Sequence, residues 1–354
     1  MKPSDIYQEM VSSNKLTFDE KQFSLLEKLD FINDQLLERS RKWFKKKRIK
    51  GLYIKGEVGR GKTQIMDIFF ENLNIEKKQR LHFHRFMKKL HEELDRLSGQ
   101  SDPLEKIAAD LAQSTEVLCF DEFFVEDIGD AMLLGRFVRK LFTHPVTLIA
   151  TSNTLPENLY KDGLHRDRFY PAIESIKENC ETFELISLQD YRLRTLEKLE
   201  IFLIAKEDPD DKHLAKNFSE LTNNIFEENR NVEILGRKIK TKRLATGSVW
   251  FEFSELCEGP RSSKDYIDLC TEFHTIFISN IPIFNNDNND SARRFIALID
   301  ECYERNVNLI LSSEIDIREI YYEGLLKEPF KRTLSRLEEM RSREYLSRPH
   351  LAKN

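Results

Sequence analysis

Across residues 18–47 the hydrophobic side chains Phe23, Leu26, Leu29, Ile32, Leu36 and Leu37 recur three or four positions apart. That step lines up one face of an α-helix and predicts one or two amphipathic helices. Beyond Lys50 the pattern changes to short apolar runs. Residues 51–55 predict a strand, 64–73 a helix, and 80–86 a strand entering a helix; 116–122, 146–153 and 181–187 predict three more strands. The runs at 117–120 and 146–150 are apolar at nearly every position, as expected of parallel strands covered on both faces. Strands alternating with helix-sized gaps predict an α/β core built on a parallel sheet.

The pattern changes character again past Tyr191. Residues 193–204 predict a helix, and 206–212 are a polar break. Residues 231–239 alternate apolar and polar around Leu235-Gly236, a hairpin signal that can continue into 247–253. The segments 275–281, 292–300 and 308–314 repeat the strand-helix-strand plan of 118–153. Right-handed crossovers would make them further parallel strands, either extending the first sheet or forming a small domain on it. The hairpin is expected as an insertion on the outside of the core. Trp250 beside it reads as a core residue first and a partner anchor second. The expected organisation is a helical lead-in over 1–50, a core over 51–190 and a C-terminal α/β extension over 191–354.

Composition narrows the classes. The 354 residues carry 56 Lys and Arg against 61 Asp and Glu, a net charge of −5, which argues against non-specific nucleic-acid binding. The basic run at 41–48 (RKWFKKKR) is the local exception. It suits a solvated helix end, with a phosphate or peripheral membrane contact as the sharper alternative. No apolar stretch approaches the roughly 20 residues needed to span a bilayer. The first fifteen residues hold neither a signal-like apolar run nor an Arg-rich presequence, so the cytoplasm is expected. Five cysteines without a CxxC spacing read as reduced packing residues. His82, His84 and His91 lack the partners of a zinc set. The Asn/Asp run at 285–290 lacks the glycine and terminal glutamate of a calcium loop.

The chemistry is concentrated after the first strand. Gly56, Glu57, Val58, Gly59, Arg60, Gly61, Lys62 and Thr63 spell G-x-x-x-x-G-K-T between strand and helix, the context a P-loop requires. The glycines let backbone N–H groups turn toward a polyphosphate at a helix N-terminus. Lys62 would reach the β- and γ-phosphates of ATP, and Thr63 would meet Mg²⁺. Asp121 and Glu122 end the next buried strand: Asp121 would hold Mg²⁺ through water, and Glu122 would act as general base. Asn153, at the end of the neighbouring strand, would contact the γ-phosphate or the lytic water. Arg166 and Arg168 follow, and arginine's fixed planar charge suits a developing phosphoryl charge on a neighbouring subunit. The later strand-helix-strand repeat has no glycine loop, so no second ATP site is expected there.

The stretches GLYIKGEVGRGKT, RLHFHRFM, LCFDEFFVEDIGDAM, TLIATSN and LHRDRFYPAI, then VWFEFSELC, SSKDYIDLC, ARRFIALID and FKRTLSRLEEM, together resemble the ZapE family of AAA+ ATPases. These are bacterial division-associated proteins with mitochondrial relatives, and the resemblance covers nearly the whole chain. It implies an AAA+ P-loop core, ATP and Mg²⁺ as cofactors, a homo-oligomer, and FtsZ and the division ring as partners of a cytoplasmic bacterial protein. By motif it makes Lys62 and Thr63 Walker A, Asp121 and Glu122 Walker B, Asn153 sensor 1, and Arg166 or Arg168 the arginine finger. Arg336, in TLSRLEEM, resembles a sensor 2 arginine. Two alternatives stay open: a nucleic-acid-linked factor resembling a helicase loader, and a mitochondrial-type chaperone ATPase in membrane-protein turnover.

Overall fold

Five short strands, β1 (Gly51–Lys55), β2 (Lys78–His82), β3 (Val117–Asp121), β4 (Thr147–Ser152) and β5 (Cys180–Glu184), pair in parallel in the order β2-β3-β4-β1-β5. They are the five expected runs. The computed structural model describes residues 2–13, 16–41, 48–125, 127–186, 191–205, 211–321 and 323–351, and it divides into two units, 1–190 and 191–354.

Parallel pairing needs a crossover between strands, and the helices supply it. Ahead of β1 lie α1 (Pro3–Ser12) and α2 (Glu20–Arg41); α3 (Lys62–Asn72) follows the glycine loop. These three cover one face, where Tyr7, Leu26, Leu29, Ile65 and Phe69 pack on Leu52, Ile54, Cys119 and Ile149. The other face carries α4 (Phe83–Arg96), α5 (Pro103–Ser114), α6 (Ile128–Leu141) and α7 (Tyr170–Asn179), packed on Tyr53, Leu118, Phe120 and Leu148. Alternate residues of one strand thus enter opposite cores, which is why the strand sequences are apolar throughout. The lead-in helices share the first unit's core. Most of the basic run, residues 42–47 with Trp43, Phe44 and Lys45 to Lys47, lies outside the described residues.

In the second unit, α8 (Tyr191–Leu196) is followed by β6 (Phe202–Ile204), so the helix expected over 193–204 is a turn and a half of helix and then a strand. Parallel pairing of β6 with β13 (Asn308–Ser313) buries Leu203 beside Leu214, Phe218 and Trp250, a packing gain that overrides local helix propensity. After α9 (Lys212–Leu221), β7 (Glu227–Glu228), the hairpin β8 (Asn231–Ile234) and β9 (Arg237–Lys240), and β10 (Arg243–Ala245), the strands β11 (Ser248–Glu252) and β12 (Thr275–Ile281) complete a separate sheet. Its order is β6-β13-β12-β11-β10-β7. Helices α10 (Ser263–Glu272) and α11 (Asn289–Glu304) cross between its parallel strands, and α12 (Lys327–Met340) and α13 (Arg343–Leu346) finish the chain.

Leu235 and Gly236 both take left-handed backbone, with φ of 48° and 75°, as a tight two-residue hairpin turn requires. The hairpin stops at β9: β11 belongs to the larger sheet, antiparallel to β10 and parallel to β12. Val232, Ile234 and Ile239 point into the second unit's core, so the hairpin covers that core and is not an insertion on the outside of the first. Trp250 is buried and its indole N–H donates to Ser279 Oγ at 3.1 Å, which removes it as a partner anchor. Among the described residues no helix is long and apolar enough to cross a membrane.

Candidate functional site

The expected loop residues 56–63, Asp121, Glu122 and Asn153 lie at the C-terminal ends of β1, β3 and β4, where an open parallel sheet presents a crevice. The loop leaving β1 is anchored by Gly56 N–H donating to Ser152 O at 3.0 Å. Gly59 and Gly61 take φ of 78° and 85°, and Gly61 caps α3. The φ of 85° disfavours any side chain at Gly61, and a Cβ there would sit 2.5 Å from Gln22 Nε2, so Gln22 would have to move.

Lys62 folds back over this loop. Its ammonium donates to Gly56 O at 2.6 Å, to Glu57 O at 2.7 Å and to Asn153 Oδ1 at 2.9 Å. Lys62 and Asn153, 91 positions apart, therefore meet at the mouth of the loop. Thr63 opens α3 with an exposed side chain. Glu57 is paired with Arg60 at 2.6 Å, and that hydrogen bond and charge hold its carboxyl below the usual range.

Asp121, the last residue of β3, is buried, and Arg80 Nε and Nη2 donate to its two oxygens at 2.6 and 3.2 Å. The same guanidinium pairs through Nη1 with Asp67 on α3 and donates through Nη2 to Thr63 O at 3.5 Å. Burial works against the Arg80 charge, but the two carboxylates outweigh it and raise its pKa. Burial also raises Asp67, against the pull of Arg80, and it pushes the His82 imidazole down, favouring its neutral form.

Glu122 follows with φ of 55°, left-handed backbone at a non-glycine residue, and its N–H donates to Thr151 Oγ1 at 3.2 Å. A backbone region that disfavours side chains, held next to a buried acid, is the kind of local strain that clusters at functional sites. Behind it, the Phe83 and Phe123 rings meet at 4.4 Å, tilted by 48°, and Phe86 meets Phe120 and Phe137 at 4.8 and 5.0 Å. The phenylalanines of HFHRFM and FDEFF thus form the floor that carries the two carboxylates.

The two arginines after β4 differ. Arg166 donates to Glu157 O and, at 3.4 Å, to Tyr170 OH, with its guanidinium 5.2 Å from the Tyr170 ring. Arg168 is exposed and forms no side-chain hydrogen bond or ion pair with any described residue. Arg336 belongs to the second unit, where Asp300 and Glu304 accept from its guanidinium and the Tyr303 ring lies 4.8 Å away.

Sequence reasoning missed four residues that shape this site: Tyr7, Gln22, Asp67 and Arg80. Gln22 Nε2 donates to Arg60 O at 3.0 Å, and its own Oε1 accepts from Tyr7 OH at 3.1 Å. Both side chains are buried. A polar Gln in the apolar stripe of an otherwise amphipathic helix was the available signal for the first contact. For Arg80 it was a charged residue in mid-strand.

The donor set fits a nucleotide phosphate: left-handed glycines, an open helix N-terminus and a lysine lying across the loop. It also fits a magnesium ion that enters with that phosphate, because Thr63 offers a hydroxyl and Asp121 is tied to the same helix through Arg80. Among the described residues no group of three or more His, Cys, Asp or Glu is placed to hold a metal by itself.

The model of the AFG1-like ATPase family matches residues 1–349. Over 304 residues the chain is 47% identical to Cell division protein ZapE of Escherichia coli, covering 86% of this chain and 81% of that protein. It is 33% identical over 288 residues to Lactation elevated protein 1 homolog B of Danio rerio, covering 77% and 57%. Among solved structures, AMPPCP-bound DnaA from Aquifex aeolicus aligns over 52% of each chain at 14% identity, with a TM-score of 0.37. The chain belongs to the AFG1-like ATPase family and is an ATP-hydrolysing enzyme.

Proposed function

We propose that the chain is a Mg²⁺-dependent AAA+ ATPase that works as a homo-oligomer on the bacterial division ring, with FtsZ as its protein partner in the cytoplasm. The observation that carries the ATPase mechanism is the meeting of Lys62 and Asn153 at 2.9 Å beside the strained Glu122. Its extension to division rests on the 47% identity to Cell division protein ZapE.

In this reading the 56–63 loop wraps the phosphates, and Lys62 exchanges its carbonyl partners for β- and γ-phosphate oxygens. Thr63 and Asp121 hold Mg²⁺, whose charge offsets that of the transferred phosphoryl group. Glu122 takes a proton from the attacking water, and Asn153 orients that water or the γ-phosphate. Arg168, exposed and without a described partner, suits the finger that reaches a neighbouring subunit's ATP; Arg166 is engaged within its own loop. Leu164 and Tyr170, 73% and 49% exposed on either side of it, give that contact an apolar rim. Arg336 enters no step, because its guanidinium is engaged by Asp300 and Glu304.

Sedimentation with FtsZ polymers in ATP, in ADP and with Lys62→Ala tests the whole reading. The expected result is nucleotide-dependent co-sedimentation that Lys62→Ala abolishes. Tight DNA or RNA binding at physiological salt, with no FtsZ association in any nucleotide, would overturn the division assignment in favour of the loader-like alternative.

A further inference from the structure

Arg80 is held on three sides within the first unit, and phosphate chemistry gives it no part. It stands on β2, at the edge of the sheet, with its side chain 11% exposed. From there its guanidinium spans to β3 and α3. Nε and Nη2 take the two Asp121 oxygens, Nη1 takes Asp67, and Nη2 also reaches Thr63 O. These bonds use all three nitrogens of a planar fork, a geometry lysine cannot reproduce.

The contacts join three residues whose relative placement matters. Asp67 lies one turn along α3 from Thr63, on the helix that opens with the P-loop lysine. Asp121 ends the strand that precedes Glu122. A carboxylate with both oxygens already accepting from one guanidinium has a fixed rotamer, with its remaining lone pairs facing away from Arg80. Without Arg80, Asp121 and Asp67 would be two buried acids sharing a site, and repulsion would turn them apart or leave one protonated.

We propose that Arg80 is a positioning residue for the metal-linked part of the nucleotide site, clamping Asp121 to α3 in the orientation from which it receives the nucleotide's Mg²⁺. The inference rests on the ATPase mechanism above and adds to it the element that couples β3 to the P-loop helix. Arg80 itself touches neither nucleotide nor metal. Its loss should therefore weaken the contribution of Mg²⁺ to nucleotide binding and spare the contribution of the loop.

A fluorescent ATP analogue titrated with Mg²⁺ and again with EDTA separates the two. Wild type should bind more tightly with Mg²⁺. Arg80→Ala should bind within about twofold of wild type in EDTA, while its gain from Mg²⁺ falls by about tenfold, about 1.4 kcal/mol. Arg80→Lys, which keeps the charge and loses the fork, should fall between. Should Arg80→Ala lack the wild-type circular dichroism, Asp67→Asn carries the test: it keeps the Asp121 pair and loosens the anchor to α3, so a smaller selective loss is expected. Equal losses in both titrations would mean that Arg80 only supports the fold, and unchanged titrations would mean that it supports nothing at this site; either overturns the proposal. Failure of wild type to bind the analogue at all would instead fail the ATPase mechanism.

Discussion

Glu122 offers a sharp separation of stability from chemistry. Its φ of 55° places a side chain where L-residues are disfavoured by about 1–2 kcal/mol. Glu122→Gly removes that strain, while the more flexible unfolded chain takes back about 0.4–1 kcal/mol. The net expectation is a gain of about 0.5 kcal/mol, a rise of about 1–2 °C in Tm for a unit of this size. Glu122→Gln keeps shape and strain and should leave Tm unchanged. Glu122→Val adds a β-branch at positive φ and should lower it. Turnover should follow a different order: both Glu122→Gly and Glu122→Gln remove the base and should lose about 10²–10⁴-fold in kcat, with ATP binding retained. Thermal melts and steady-state ATPase on the three variants read both quantities. A glycine variant less stable than wild type by more than about 1 kcal/mol would refute the strain argument, and a glutamine variant that still turns over would refute the base assignment.

Four further outcomes are expected. Gly61→Ala meets both a φ of 85° and a Gln22 Nε2 at 2.5 Å, so it should displace Gln22 and lower nucleotide affinity, read by titration. Tyr7→Phe removes the hydroxyl that donates to Gln22 Oε1 and accepts from Asp19 N–H, and should destabilise the first unit by about 1 kcal/mol in denaturant melts. Mixing Arg168→Ala with Lys62→Ala should restore activity that neither has alone, since mixed interfaces pair an intact finger with an intact loop; absence of rescue at every ratio would count against action across subunits. Burial pushes the His82 imidazole below its ordinary value of 6.5 in the folded chain, with Asp121 and Glu122 opposing and Arg80 and Arg85 assisting. The unfolded chain therefore binds the extra proton, stability falls as pH drops below about 6.5, and His82→Gln should flatten that fall in melts at pH 5–7.

How far the sequence carried depended on the range of the interaction. The glycine loop, β1, β3 and β4 were legible because each is specified by its own residues: apolar runs for doubly covered strands, glycines where φ must be positive, carboxylates at a strand end. The hairpin turn at Leu235-Gly236 was legible for the same reason. Its destination was not, since the inward side chains of Val232, Ile234 and Ile239 say only that some core exists, and both units offer one. β6 was misread because residues 202–204 are too short for periodicity to separate strand from helix, and pairing with β13 decides it. Trp250 carried the same ambiguity between core and surface until Ser279 supplied a partner for its indole N–H.

The residues missed at the site share one feature: each acts through a group far away in sequence. Tyr7 holds Gln22, Gln22 holds the Arg60 carbonyl, and Arg80 ties Asp121 to Asp67, over separations of 15, 38 and at most 41 positions. A motif fixes the residues that touch the phosphate, because their spacing is set by one continuous loop. It is silent on what holds that loop, because any neighbouring element can supply the support. Here two different elements do: the lead-in helices brace the loop from one side through amide and hydroxyl groups, and β2 braces α3 through charge. The neutral brace is insensitive to salt and to a bound cation. The charged brace surrounds the carboxylate on which a magnesium ion would act, so the two supports separate under EDTA. A defect in Tyr7 or Gln22 should weaken nucleotide binding equally with and without Mg²⁺, whereas one in Arg80 should not.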